Sequence, residues 1–239
     1  MKKFILDFLF PVTLLVLATV LIWLTGADMK AARSIYETFQ GWSAVESLPW
    51  SIVYTYAPFP GLVLAGGALF VFAGGFFEQI LRPFRKQAVF LVLMLVLGPG
   101  LLVNMILKDN MGRARPTDII EFSGNYQYSE PWQYGVSPKQ KSFPSGHASI
   151  AFYMMAPWFI YRNRHKKLGL IFLGFGLSFG ALVGYSRMVQ GGHFLSDALW
   201  AGGMMYLCGV VLSWVLDPAL KPASQVLVRG RACTFSASR

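Results

Sequence analysis

Six apolar segments organise this chain, at about residues 4–24, 60–77, 89–107, 148–161, 168–185 and 194–216. A helix that crosses a bilayer needs about 20 apolar residues, within a tolerated range of about 17–25. Five segments fall in that range. The fourth is short and has to borrow a turn from His147 and the residues before it. Backbone N–H and C=O groups in hydrocarbon must be paired inside the segment, which favours helices. The expected fold is therefore an all-α integral membrane protein with six transmembrane helices. Composition agrees, because only 13% of the 239 residues are charged and 55% are hydrophobic. A soluble domain carries about 25% charged residues.

The formal net charge of +10 raises the question of a nucleic-acid partner. The distribution of the charge answers it. Lys2, Lys3, Arg82, Arg85, Lys86, Arg162, Arg164, Lys166, Lys167, Lys221, Arg229, Arg231 and Arg239 fall at one set of segment ends. The opposite ends carry Lys30, Arg33, Lys108, Arg113, Arg115, Lys139, Lys141 and Arg187. That asymmetry, thirteen against eight, is the positive-inside pattern and places both termini in the cytoplasm. No nucleic-acid motif is present, and no such partner is expected. Met1-Lys2-Lys3 before an apolar run has the look of a signal peptide, but the run exceeds the about 7–15 residues of a signal core. A retained span is expected. Cys208 and Cys233 have neither zinc-ligand spacing nor the look of a disulfide framework. Residues 1–220 read as one membrane domain, and 221–239 as a polar cytoplasmic tail.

Two long loops face the outer side. In residues 25–59, Met29, Ala32, Tyr36 and Phe39 recur at helical spacing, with Lys30, Arg33 and Glu37 opposite. This predicts a short interfacial amphipathic helix lying on the membrane. Trp50, Tyr54 and Tyr56 read as interfacial anchors. Residues 117–143 hold Tyr126, Tyr128, Trp132 and Tyr134, and read as a cap facing the substrate. Gly176, Gly180 and Gly184 in the fifth span, and Gly66, Gly67, Gly74 and Gly75 in the second, predict close helix packing.

Three polar blocks fall on that same outer side. In the first, Lys108 and Arg115 are seven residues apart, so they share a face if the third helix continues outward. Pro116 then ends that helix. Two cations on one face can grip a phosphate, or be a solvated charge pair. In the second, Pro144-Ser145-Gly146-His147 opens the fourth segment. Ser145 suits a helix cap, and the free N–H groups of a helix start favour anions. An ordinary cap beside a bystander histidine is the alternative. In the third, Ser186-Arg187 precede His193 and Asp197. Four residues apart, these two stack on one helix face. A carboxylate can fix one imidazole nitrogen as donor and leave the other free to attack. Asp197 lies about one turn into an apolar run, where an unpaired carboxylate costs about 2.5–3.5 kcal/mol by insertion scales. His193 supplies a reason for it; a structural ion pair is the alternative. His165 lies among the cytoplasmic basic residues and reads as a loop residue.

Lys108, six residues, Arg115-Pro116; Pro144-Ser145-Gly146-His147; and Ser186-Arg187, five residues, His193, three residues, Asp197 together resemble a known signature. It is that of the type 2 phosphatidic acid phosphatase superfamily, which also includes haloperoxidases. The motifs cover residues 108–197 without a gap or substitution. The resemblance implies a phosphatase-type helical core and a role for each residue. His193 is implied as the nucleophile forming a phosphohistidine, Asp197 as the group that orients it, and His147 as the proton donor to the leaving group. Lys108, Arg115 and Arg187, with Ser145 and the Gly146 N–H, are implied to hold the phosphoryl oxygens. No metal and no cofactor are implied; a fixed cationic clamp can neutralise a transferring phosphoryl group.

Membrane embedding selects the lipid branch over the soluble haloperoxidases. The expected partner is a membrane lipid whose phosphorylated headgroup lies on the periplasmic face of a bacterial inner membrane. Residues 112–122 and 188–200 resemble lipid A phosphatase-like members, which makes a lipid A phosphate the leading substrate. Undecaprenyl pyrophosphate and phosphatidylglycerol phosphate follow, and phosphatidate is a further candidate. Arg113, Lys139 and Lys141 can meet a second phosphate on a bis-phosphorylated headgroup, or anionic lipid. A lipid or anion transporter using the cations for binding alone is the reading from another class. It needs no nucleophile, so the His193–Asp197 pair separates the two. Oligomeric state has no signature in the sequence.

Overall fold

The structure is a computed structural model that describes residues 5–42, 47–135, 137 and 139–218. The polar tail and Lys2 and Lys3 lie outside the described residues. Helix α1 (Phe10–Thr25) follows a π-helical turn at Ile5–Leu9. Gly26 closes it at φ 62°, and its N–H caps the Ile22 and Trp23 carbonyls. Helix α2 (Ala27–Thr38) and helix α3 (Trp50–Tyr56) follow, then α4 (Pro58–Gly74). Helix α5 (Arg85–Leu95) continues into a π-helical stretch, Val96–Leu107, around Pro99, and ends in α6 (Lys108–Met111). Helix α7 (Gly146–Phe152), a 3₁₀ turn and α8 (Pro157–Tyr161) make a broken rod. Long helices α9 (Lys166–Val189) and α10 (Leu195–Leu216) complete the bundle. Among the described residues the only strand-like pairing is one bridge between Ile119 and Tyr126.

Among the described residues, five helical stretches are long and apolar enough to cross a membrane: Ile5–Thr25, Trp50–Gly74, Arg82–Asp118, Lys166–Val189 and Leu195–Leu216. Their outward side chains, such as Leu17, Leu21, Val63, Phe70 and Ile171, are exposed and apolar, as a lipid-facing surface requires. The fourth apolar segment differs. Tyr153–Met155 and Pro157 interrupt it, and its side chains are mostly buried inside the bundle. A helix of its length, at about 1.5 Å per residue, falls short of the hydrocarbon thickness of about 30 Å. Its ends nevertheless lie at opposite ends of the bundle. The Ser145 N–H meets the Asp197 carbonyl, whereas Arg162 pairs with Asp7 at 3.0 Å.

The glycine stripe on α9 is what admits this broken rod. A Cβ on Gly176 would lie 2.3 Å from the Met155 nitrogen, and one on Gly180 would lie 2.2 Å from the Phe152 ring. A Cβ on Gly184 would meet Ala198 of α10 at 2.8 Å. Gly66 and Gly67 of α4 have nothing within 4 Å, so the packing expected of them is not made.

Helix α2 is amphipathic, but its apolar face is covered by protein rather than lying on membrane. Asp28, Ala32 and Ile35 are buried, and the helix packs on α9 and α10 where the former ends and the latter begins. Met29, Ala32 and Tyr36 join Ile119, Phe122 and Phe194 in one cluster. Phe39 joins Met188 and Val189 in another. Side chains of the 117–143 loop cover this face, so the helix caps the bundle.

Candidate active site

The three blocks converge where α9 ends and α10 begins, and backbone hydrogen bonds stitch them together. The Thr117 N–H donates to the Gly191 carbonyl at 3.1 Å, joining the first block to the third. The Ser145 N–H donates to the Asp197 carbonyl at 3.2 Å, joining the second to the third. The Ser142 N–H donates to the Arg113 carbonyl at 2.9 Å.

Asp197 sits at the third position of α10, with no exposed surface. Its carboxylate accepts from the Phe194 N–H at 2.8 Å, from the Ser142 hydroxyl at 2.6 Å and from Arg113 at 2.5 Å. The expected common helix face of His193 and Asp197 is not how they meet. Helix α10 begins at Leu195, and His193 lies in the turn before it. Asp197 reaches back to cap that turn, and this brings its Oδ2 to 3.6 Å from His193 Nδ1. That Nδ1 has no hydrogen-bond partner. Burial is the main influence on His193 and pushes its pKa down to about 4, against the pull of Asp197.

Lys108 and Arg115 do not share a helix face either. The helix stops at Met111, Gly112 turns left-handed at φ 63°, and Arg115 is extended. A Cβ at Gly112 would also stand 2.9 Å from the Ser137 carbonyl, so glycine is required twice over. Pro116 opens a 3₁₀ turn rather than closing the helix. Chain reversal, not helical periodicity, keeps the two cations together. Lys108 lies within electrostatic reach of Arg115, Arg187 and Asp197. A Cβ on Gly146 would come 2.6 Å from Asn104 Oδ1 and 3.3 Å from Lys108 Nζ, so the bare backbone of Gly146 faces the lysine.

Ser145 is fully buried and caps α7, accepting the Ala148 N–H at 3.4 Å. Arg187 lies against Gly192, where a Cβ would stand 2.3 Å from its Nη2. It donates to Gln190 Oε1, and Gln190 Nε2 donates to the Trp50 carbonyl at 3.2 Å. The Arg187 Nε is buried without a partner. His147 is half-buried, and its pKa is pushed down to about 4, first by burial and then by Arg187, His193 and Lys108. Among the described residues, no three His, Cys, Asp or Glu side chains gather as metal ligands.

Two expectations are corrected. Arg113 is no headgroup contact: its side chain is 1% exposed. It bridges Asp197 and Asp28, at 2.9 Å from the latter, and donates to Ser196 and the Ser129 carbonyl. The carboxylates of α2 and α10 claim its planar fork, so none is left for a ligand. Tyr54 is no simple membrane anchor, because it stacks on His147 with ring centroids 4.6 Å apart. Lys141 is exposed and pairs with Asp109 at 2.6 Å, and Lys139 is exposed. Asp28, Ser142, Gln190 and Tyr54 were not foreseen at the site. For Asp28 a signal existed: a carboxylate at the 28, 32, 35 stripe stands on the apolar face of its helix.

Three cations, two histidines and a buried carboxylate thus meet at one end of a helix bundle whose helices are long and apolar enough to cross a membrane. The PAP2 superfamily matches residues 87–220, and the chain belongs to that family. It is 34% identical over 149 residues to lipid A 4'-phosphatase of Francisella tularensis subsp. novicida, covering 62% of this chain and 64% of that protein. It is 32% identical over 123 residues to phosphatidylglycerophosphatase B of Bacillus subtilis, covering 48% and 52%. The chain thus spans under two thirds of the length of these curated relatives. No solved structure matches it.

Proposed function

We propose that this protein is a membrane-embedded lipid phosphatase that acts through a phosphohistidine on His193, without a metal. The observation that carries the proposal is the anchored Asp197, held by three donors with its Oδ2 beside His193 Nδ1. A binding-only site has no use for such a pair. Family membership and the names of both relatives support the phosphatase reading.

The chemistry follows from the placement. Burial keeps His193 neutral at pH 7, so Nε2 carries a lone pair for attack on phosphorus. Lys108, Arg115 and Arg187 hold the non-bridging oxygens and neutralise their charge. The bond from phosphorus to the lipid oxygen breaks, and that oxygen takes the proton of His147. Water then attacks the phosphohistidine, His147 takes a proton from it, and the P–N bond breaks to release phosphate. His147 is held neutral at pH 7 first by burial and then by the nearby Arg187 and Lys108, which oppose a proton there. The negative charge of a bound phosphate offsets the cations' repulsion and favours a proton on His147. As His193 gains positive charge, Nδ1 closes on Asp197, since such contacts are commonly long in an empty site.

The favoured substrate is a lipid A phosphate, on the strength of the Francisella relative; phosphatidylglycerol phosphate is the second reading, on that of the Bacillus relative. Six crossings, with 148–161 as the fourth, put both termini in the cytoplasm and the pocket on the periplasmic face of a bacterial inner membrane. The opposite-end placement of Ser145 and Arg162 supports that path. The test is phosphate release by detergent-purified protein from lipid A, undecaprenyl pyrophosphate, phosphatidylglycerol phosphate and phosphatidate, with His193→Ala as control. Release lost in a folded His193→Ala protein supports the enzyme, and the preferred lipid names its substrate. Release or transport retained in that variant sinks it.

A further inference from the structure

Helix α3 is fixed in place by more than its own turns. The Trp50 carbonyl accepts from Gln190 at 3.2 Å and from the Ser186 hydroxyl at 3.4 Å. The Trp50 ring meets Tyr185 edge-on at 5.5 Å, and Ala57 at the far end is buried with Ala151 and Val183. This fixed helix delivers one side chain to the pocket. The Tyr54 ring lies 26° from parallel to the His147 imidazole, at 4.6 Å, and the Arg187 guanidinium carbon is 4.7 Å from its centroid. One phenol ring therefore faces both the proton-donating histidine and a phosphate-gripping arginine.

The surroundings of His147 give that contact a purpose. The charged and titratable groups acting on it are Arg187 from α9, His193 from the turn before α10, and Lys108 from the end of the third span. Each opposes a proton on the imidazole, as does burial. From α3 comes only the π-face of Tyr54, whose negative quadrupole attracts a cation. We propose that Tyr54 is a positioning residue that holds His147 flat and stabilises its imidazolium form for proton delivery to the lipid oxygen. The inference rests on the donor role of His147 proposed above. The face of the ring does this, not its hydroxyl, so phenylalanine can replace it and an aliphatic side chain cannot.

Leaving-group dependence tests this, since a good leaving group departs without a proton. The full chain in detergent is assayed for kcat/KM on a lipid phosphate monoester, whose alkoxide needs the proton, and on p-nitrophenyl phosphate, whose phenolate does not. A desolvated cation–π contact supports a loss of about tenfold. Tyr54→Leu is expected to lose that factor on the lipid, to stay within twofold of wild type on the aryl ester, and to shift the alkaline limb of kcat to lower pH. Tyr54→Phe is expected to match wild type on both. Equal loss on both substrates in Tyr54→Leu overturns the proposal, because the ring would then serve the Arg187 clamp or the fold. Loss in Tyr54→Phe overturns it too, by assigning the effect to the hydroxyl. His147→Ala distinguishes the two levels. Selective loss there without selective loss in Tyr54→Leu sinks the Tyr54 role alone. No selectivity in His147→Ala removes the donor reading and this inference with it.

Discussion

Arg113→Gln tests the way the pocket is held. Two carboxylates, Asp28 and Asp197, are 1% and 0% exposed, and both take Arg113 as counter-cation. Losing one partner of a buried ion pair costs about 3–5 kcal/mol, because the charge left behind is neither solvated nor paired. For a domain of this size each kcal/mol moves the melting temperature by about 2–4 °C, so a fall of about 6–20 °C is expected. The assay is thermal unfolding in detergent, followed by tryptophan fluorescence at fixed protein concentration. Asp28→Asn removes the need for half of that cation. The double variant should then lose less than the sum of the single losses, by about 0.5–3 kcal/mol of coupling. Activity should fall together with stability, because Asp197 loses one of the donors that aim it at His193. A headgroup ligand behaves differently: its loss raises KM and leaves unfolding unchanged. Arg113→Gln melting within about 2 °C of wild type, or strictly additive single losses, would refute the buried bridge.

Other consequences follow from packing and protonation. Gly176→Ala places a methyl 2.3 Å from the immovable Met155 backbone and should cost about 1–3 kcal/mol, while Gly66→Ala, which faces open space, should melt as wild type. Equal melting of the two would remove the packing role of the α9 stripe. His193 binds its proton at about pH 4 when folded and near 6.5 when unfolded, so the unfolded chain holds more protons between those values. Stability is therefore fully present above about pH 6.5 and falls as pH drops toward 4, and His193→Ala should flatten that slope in melts across pH 4–7. Phosphate release should persist in excess EDTA; full inhibition reversed by Mg²⁺ would contradict the cationic clamp.

Much of this pocket was legible in the chain because its motifs are short and local in spacing. Lys108, Arg115, Ser145, Gly146, His147, Arg187, His193 and Asp197 do gather at one end of the bundle. The geometry that joins them was misjudged where helical periodicity was extended past a helix end. Gly112 reverses the chain between Lys108 and Arg115, and the Asp197 cap reaches back to a histidine outside its helix. Arg113 was misread for a related reason. A basic residue in an outer loop reads as exposed unless its carboxylate partner is known, and Asp28 lies 85 positions away. Tyr54 reads as a membrane anchor because an interfacial aromatic and an aromatic packed on a histidine have the same local sequence.

Hydropathy along the chain determined the all-helical bundle, since lipid leaves a backbone no other economical way to pair its polar groups. Residue types at fixed spacing determined which side chains are proposed to handle phosphate. Tertiary structure alone decided which charges are buried and paired and which stay accessible. Arg113 and Arg115 are two residues apart and equally basic, yet one is sealed between two carboxylates and the other is exposed. That division depends on α2 folding over the ends of α9 and α10. It is a contact between distant segments, and local sequence carries no record of it.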